Sequence, residues 1–172
     1  MHLGKEIVST EQLKVRVEEL ARQITREYKD QRLILIGVLK GAFIFAADLC
    51  RAIDLDLEID FIQVKSYGVS TRSSGSIHLV KTPSLHLSNK DVLLVEDIVD
   101  TGITMAWLRD YFRDSPANTV RICALIDKKE RRLVQVDVDY VGFHLDKGFL
   151  VGYGLDCAEK YRHLPAIYSL EA

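Results

Sequence analysis

Apolar side chains at Leu13, Val17, Leu20 and Ile24 recur at helical spacing within Glu11–Asp30, with polar and charged residues between them. The pattern predicts an amphipathic helix, with Thr10 as its cap ahead of Glu11. Arg32–Val38 is instead a continuous apolar run of strand length. A turn at Lys40-Gly41 then leads into a helical pattern over Gly41–Ile53. Glu58–Ser66 and Ile77–Lys81 have strand character, and the Ser-, Gly- and Thr-rich stretch Tyr67–Ser76 between them predicts a mobile loop. Asp91–Val95 is a second buried-type strand, followed by a helix over Gly102–Arg113 that Pro116 ends. Val120–Ile126, Tyr140–Phe143 and Phe149–Leu155 complete the strands, the last with Gly152 and Gly154 inside it.

Strands alternate with helices through most of the chain. A run such as Val92-Leu93-Leu94-Val95 suits a sheet covered on both faces, because both alternating side-chain sets are apolar. The predicted class is therefore α/β with a largely parallel sheet. The chain has 172 residues and shows no repeat, low-complexity tract or linker, so a single domain over 1–172 is expected. Leu33–Ala47 is too short for a membrane span and is broken by Lys40. A formal net charge of -2 offers no electrostatic footprint for nucleic acid. Three separated cysteines, Cys50, Cys123 and Cys157, make neither a disulfide framework nor a zinc motif. With no apolar signal core in Met1–Thr10, a cytoplasmic location is the default expectation.

The informative chemistry lies in Val92–Thr104. An apolar strand ends in the adjacent carboxylates Glu96 and Asp97. A third acid, Asp100, precedes Thr101, Gly102, Ile103 and Thr104 at the start of a helix. Ligands of open α/β sheets bind beyond the carboxyl ends of strands. Free N–H groups at a helix N-terminus favour an anion, Gly102 permits close approach, and the threonine hydroxyls add donors. Glu96 and Asp97 suit sugar hydroxyls or a hard cation such as Mg²⁺. Asp100 or Thr101 also reads as a simple helix cap, but capping leaves the Glu96-Asp97 pair unexplained. The spacing fits neither the Walker phosphate loop nor an EF-hand.

Val92–Thr104 resembles the PRPP-binding signature of the type I phosphoribosyltransferases. The likeness extends through Val38–Gly41, Lys65–Gly68, Leu125–Arg132, Tyr140–Phe143 and Val151–Asp156, and is strongest to the bacterial 6-oxopurine branch. It implies a twisted, mainly parallel sheet flanked by helices, a small hood from the terminal segments and a mobile loop. It also implies Mg²⁺-dependent transfer of the 5-phosphoribosyl group from PRPP to hypoxanthine or guanine, with release of pyrophosphate.

Carried over by resemblance, Asp100 is the general acid/base at purine N7. Glu96 and Asp97 meet the ribose hydroxyls and Mg²⁺, and Thr101, Gly102, Ile103 and Thr104 hold the 5′-phosphate. Lys40 and Gly41 form the pyrophosphate loop, in which the family often has a non-proline cis peptide, and Arg132 is a further pyrophosphate contact. Lys128 donates to the purine 6-oxygen, Tyr140 stacks on the base and Val141 offers its backbone. Ser66 and Tyr67 tip the closing lid. One departure stands out: the family's Pro-Asp after the purine strand is replaced by His144-Leu145-Asp146-Lys147-Gly148, so Asp146 is expected to reach a second metal only through a shifted loop. The alternatives are a xanthine-preferring transferase and a fold-related RNA-binding regulator. A homodimer or homotetramer is expected.

Overall fold

The computed structural model describes residues 2–66 and 77–171. In chain order the elements are β1 (His2–Val8), α1 (Thr10–Glu27), β2 (Leu33–Leu39), α2 (Phe43–Ala52), β3 (Leu57–Ser66) and β4 (Ile77–Lys81). Then follow β5 (Asp91–Val99), α3 (Ile103–Arg113), β6 (Thr119–Asp127), β7 (Tyr140–His144), β8 (Leu150–Val151) and β9 (Ile167–Glu171). Six strands form one sheet in the order β4-β3-β2-β5-β6-β7, parallel except for β4 against β3. The terminal segments form a second, antiparallel sheet in the order β1-β9-β8.

The continuous apolar strands are explained by two cores. Leu33, Leu35, Leu93, Val95, Cys123 and Leu125 face one core, against α1 and α2. Ile34, Ile36, Val92, Leu94, Ile122 and Ala124 alternate with them and face the other, against α3. Neighbouring strands keep their register, so Val99, Asp127 and His144 align at one edge. The carboxyl ends of β5, β6 and β7 thus open onto a common rim, with β2 ending beside them.

Several expected boundaries move. Ser9, not Thr10, caps α1, through a reciprocal capping box in which the Gln12 N–H donates to the Ser9 hydroxyl and the Ser9 N–H donates to the Gln12 side chain. α2 begins at Phe43, because Lys40–Ala42 make the turn. β5 runs on to Val99, which places Glu96 and Asp97 inside the strand. Only Leu150–Val151 of the expected final strand is extended. Gly152, Tyr153 and Gly154 all adopt positive φ and turn the chain. β1 and β9 escaped prediction, since β1 is largely exposed and carries no apolar run. Ser66 is the last residue of β3, and Tyr67 lies outside the described residues. The three cysteines are free thiols, and no described helix is long and apolar enough to cross a membrane.

Candidate active site

The rim above β5 is built from Glu96 to Thr104. Glu96 and Asp97 are both buried, yet within the protein their carboxylates receive little. Asp97 N–H donates to Glu96 Oε1 at 3.1 Å, and Ile98 N–H donates to Asp97 Oδ1 at 2.9 Å. Burial, and then the adjacent Asp97 charge, pushes the Glu96 carboxyl well above the usual carboxylate range. Burial raises Asp97 too, against the pull of its hydrogen bonds and of the Arg162 charge. A desolvated pair of this kind suits hydroxyl donors or a hard cation.

Gly102 caps α3 in the left-handed region at φ 82°, with no side-chain cap on the helix. A Cβ there would strike the carbonyl of Val134, so the turn demands glycine on both counts. The Thr101 carbonyl accepts from Leu133 and Val134 N–H at 2.9 and 3.0 Å, which anchors the turn. At the α3 N-terminus the Ile103 N–H donates to the Thr101 hydroxyl at 3.4 Å, and a helix start of this kind suits an anion.

Two predicted residues meet beside this turn. Lys128 follows β6 and is only 6% exposed. Its Nζ lies 3.9 Å from Asp100 Oδ1 and 3.2 Å from Glu130 Oε2. The Asp100 Oδ1 atom is buried and accepts no hydrogen bond, while Arg131 stands 3.6 Å from Oδ2. A buried acceptor and a buried cationic donor therefore sit side by side. Gly148 N–H donates to Glu130 at 3.3 Å, which ties the β7–β8 loop to the same place.

The third part is the turn after β2. The Leu39–Lys40 peptide is cis, as the resemblance implied. Gly41 lies against the Asp97 carboxylate so closely that a Cβ would collide with it, and Gly154 packs equally close on the Gly41 carbonyl. The turn is thereby wedged between β5 and the segment after β8. From that segment Arg162 donates to the Gly154 carbonyl at 2.7 Å and pairs with Asp156 at 3.0 Å. Glu159 pairs with Lys40 at 3.1 Å.

Four expected residues are placed or engaged otherwise than the resemblance implied. Arg132 is a staple: its Nε donates to the Asp100 carbonyl, and its Nη2 to the Val99 and Lys128 carbonyls and to Asp127. Those partners engage its Nε and Nη2 at the β5–β6 junction. Tyr140 begins β7, opposite Cys123, at the end of the strand away from the rim residue His144. It is 2% exposed, and its hydroxyl donates to Glu27 and accepts from Arg121. Burial, then the Glu27 hydrogen bond, pushes its phenol up to about 12. The Val141 carbonyl is taken by Arg16 at 2.7 Å. Asp146 is exposed in the β7–β8 loop, and among the described residues no three His, Cys, Asp or Glu side chains converge as a metal-binding set.

Three residues outside the expected set lie near the same parts of the rim. Phe149 is 51% exposed and directly follows Gly148, which contacts the Lys128 partner Glu130. Asp156 and Arg162 join the pyrophosphate-loop side. The signal for Asp156 was present, since Val151–Asp156 was already noted as part of the likeness. Phe149 was absorbed into an expected strand, and Arg162 belongs to a segment without periodicity.

An anion-ready helix end, an unsatisfied carboxylate pair and a glycine-lined turn at one rim of a parallel sheet define a class, and comparison with known proteins agrees. The phosphoribosyl transferase domain family matches residues 4–158, and the chain belongs to that family. The hypoxanthine-guanine phosphoribosyltransferase of Aquifex aeolicus is 45% identical over 97% of this chain and 94% of its own. The enzyme of the same name from Bacillus subtilis is 44% identical over 96% and 92%. Among solved structures, a hypoxanthine phosphoribosyltransferase from Staphylococcus aureus superposes with TM-score 0.94 at 37% identity, covering 98% of this chain and 92% of that one. A hypoxanthine-guanine phosphoribosyltransferase from Bacillus anthracis gives TM-score 0.92 at 44% identity, covering 99% and 100%.

Proposed function

We propose that the chain is a purine-salvage enzyme that moves the 5-phosphoribosyl group from PRPP to hypoxanthine, and to guanine, releasing pyrophosphate. The relatives above, named for these bases, support the substrate class; neither the xanthine-preferring nor the RNA-binding reading finds support among them. The observation that carries the acceptor is the Asp100–Lys128 pair. A buried carboxylate oxygen that accepts no hydrogen bond, next to an ammonium, matches a 6-oxopurine, which presents a ring N–H beside a carbonyl oxygen.

In this reading Asp100 takes the N7 proton as the glycosidic bond to the base forms. Lys128 donates to the 6-oxygen and, being donor-only, disfavours a 6-amino group. The turn Thr101–Thr104 holds the 5′-phosphate. Glu96 and Asp97 receive the ribose hydroxyls and would hold Mg²⁺, whose charge helps pyrophosphate to leave. Lys40, Gly41 and Arg162 hold that leaving group; Arg162 takes the role expected of Arg132. Asp156 replaces Asp146 as the acid on this side, since it stands in the Arg162 network. Phe149 replaces Tyr140 as the ring that covers the base. Ser66-Tyr67 remains assigned to the lid.

We also assign a cytoplasmic homodimer or homotetramer, supported by the free thiols and by exposed Val15 and Phe43 on α1 and α2. Turnover with PRPP and Mg²⁺ is to be assayed on hypoxanthine, guanine, xanthine and adenine. Activity on the first two and none on adenine is expected. No turnover on any 6-oxopurine defeats the reading.

A further inference from the structure

The loop 152–162 contains a carboxylate that the reaction itself does not use. Glu159 Oε2 lies 3.1 Å from Lys40 Nζ and 3.3 Å from Arg162 Nη2, so a single oxygen spans both cations. A non-bridging phosphate oxygen would make the same two contacts. The backbone that presents Glu159 is held in place. Glu159 N–H donates to Asp156 at 2.8 Å, while Asp156 pairs through its other oxygen with Arg162. Ala158, Glu159 and Tyr161 all hold left-handed φ values, of 49°, 64° and 77°. Non-glycine residues stay there only when their surroundings demand it.

We propose that Glu159 is an internal counter-anion of the pyrophosphate subsite, competing with pyrophosphate and with the pyrophosphate end of PRPP for Lys40 and Arg162. The proposal rests on the reading that Lys40 contacts pyrophosphate. Glu159 and Lys40 side chains are 64% and 55% exposed, so solvent screens the pair and makes it a weak competitor rather than a lock. Lys40, and then Arg162, hold the Glu159 carboxyl below its usual range, so the competitor is charged at neutral pH. Each turnover would swap one anion for another over the same cations. Glu159 thereby limits product retention at the expense of PRPP affinity.

The test is calorimetric titration of the full chain with magnesium pyrophosphate, for the unmodified protein, Glu159→Gln, Lys40→Ala and the double variant. Circular dichroism melts establish that each is folded, and the exposed position of residue 159 favours this. Glu159→Gln is expected to bind pyrophosphate about 2–5-fold tighter, as removal of a surface competitor allows. The KM for PRPP falls by the same factor, and the gain shrinks at high salt. In the Lys40→Ala background the gain is much reduced, since one of the two contested cations is gone. If Glu159→Gln binds equally or more weakly while Lys40→Ala still weakens binding, Glu159 is inert or positions Lys40, and the proposal is overturned. If Lys40→Ala binds pyrophosphate normally, the subsite reading itself is what failed.

Discussion

Two buried acidic sites on the same sheet behave in opposite ways. Asp60 on β3 accepts from the N–H groups of Phe61, Ser84 and Leu85, from the Ser84 hydroxyl and from the Lys81 ammonium. Burial pushes its carboxyl up, but these donors together outweigh burial and hold it far below the usual range. Glu96 and Asp97 on β5 are buried as well, receive two N–H donors from their own strand, and are pushed up. The first site is complete and ties the segment after β4 to the sheet. The second is short of donors and positive charge, which a ligand must bring. The aromatic residues divide in the same way: Tyr140 is satisfied by Glu27 and Arg121 within the fold, whereas Phe149 is exposed in the β7–β8 connection. Asp60 and Tyr140 thus serve the structure, while Glu96 and Asp97 keep carboxylate capacity that the protein does not fill.

The largest expected effect is at the least satisfied atom. Asp100→Ala should slow phosphoribosyl transfer about 10²–10⁴-fold, the usual worth of a general acid/base, with PRPP binding retained. Single-turnover rates beside PRPP titrations measure the split. Loss of PRPP binding with intact chemistry would make Asp100 a positioning residue instead.

Arg132→Ala should act on stability rather than on the leaving group. It strips the buried Asp127 of its guanidinium, at a cost of about 3–5 kcal/mol in denaturant unfolding. Pyrophosphate affinity of the folded fraction should hardly change; a large loss would return Arg132 to the subsite.

The purine side is tested by a pair of variants. Phe149→Ala should raise the KM for hypoxanthine about 10-fold, within the range that stacking on a base supplies. Tyr140→Ala, which removes the ring itself, should leave that KM of the folded fraction alone and lower stability by about 3–5 kcal/mol. The reverse outcome would restore Tyr140 to the site.

The smallest effects carry the sharpest contrast, because they have opposite signs. Asp60→Asn should destabilise by about 1–3 kcal/mol at neutral pH. Its folded carboxyl is depressed, so its contribution is full above about pH 4 and fades as pH falls toward the folded value. The variant's melting temperature should therefore decline less in acid than that of the unmodified chain. Glu96 has a raised folded carboxyl, which costs stability at neutral pH. Glu96→Gln should accordingly raise the melting temperature by about 2–4 °C while weakening Mg²⁺-dependent PRPP binding. A fall in both quantities would mean that Glu96 is a structural acid like Asp60.

Sequence alone was enough for the class and for the stretch on which the proposed site is centred. Apolar runs on β2, β5 and β6 have the length and pattern of strands covered on both faces, and Val92–Thr104 carries the family likeness within one continuous stretch. Local chemistry governs such features, because strand, turn and helix start are neighbours along the chain. The Ser9 cap and the reach of β5 to Val99 depended on hydrogen bonds that periodicity does not encode. Tertiary structure decided the periphery. Arg132, Tyr140 and Asp146 had suitable chemistry, but an arginine is a staple or a ligand according to which carbonyls surround it. A tyrosine at the start of a parallel strand lies far from the strand's carboxyl end, whatever its side chain can do. Asp156 and Arg162 stand beside the Lys40–Gly41 turn because left-handed residues after β8 fold that segment back toward Gly41 and Lys40. Contacts between residues more than a hundred positions apart, such as Lys40 with Glu159, are fixed only when the sheet is assembled.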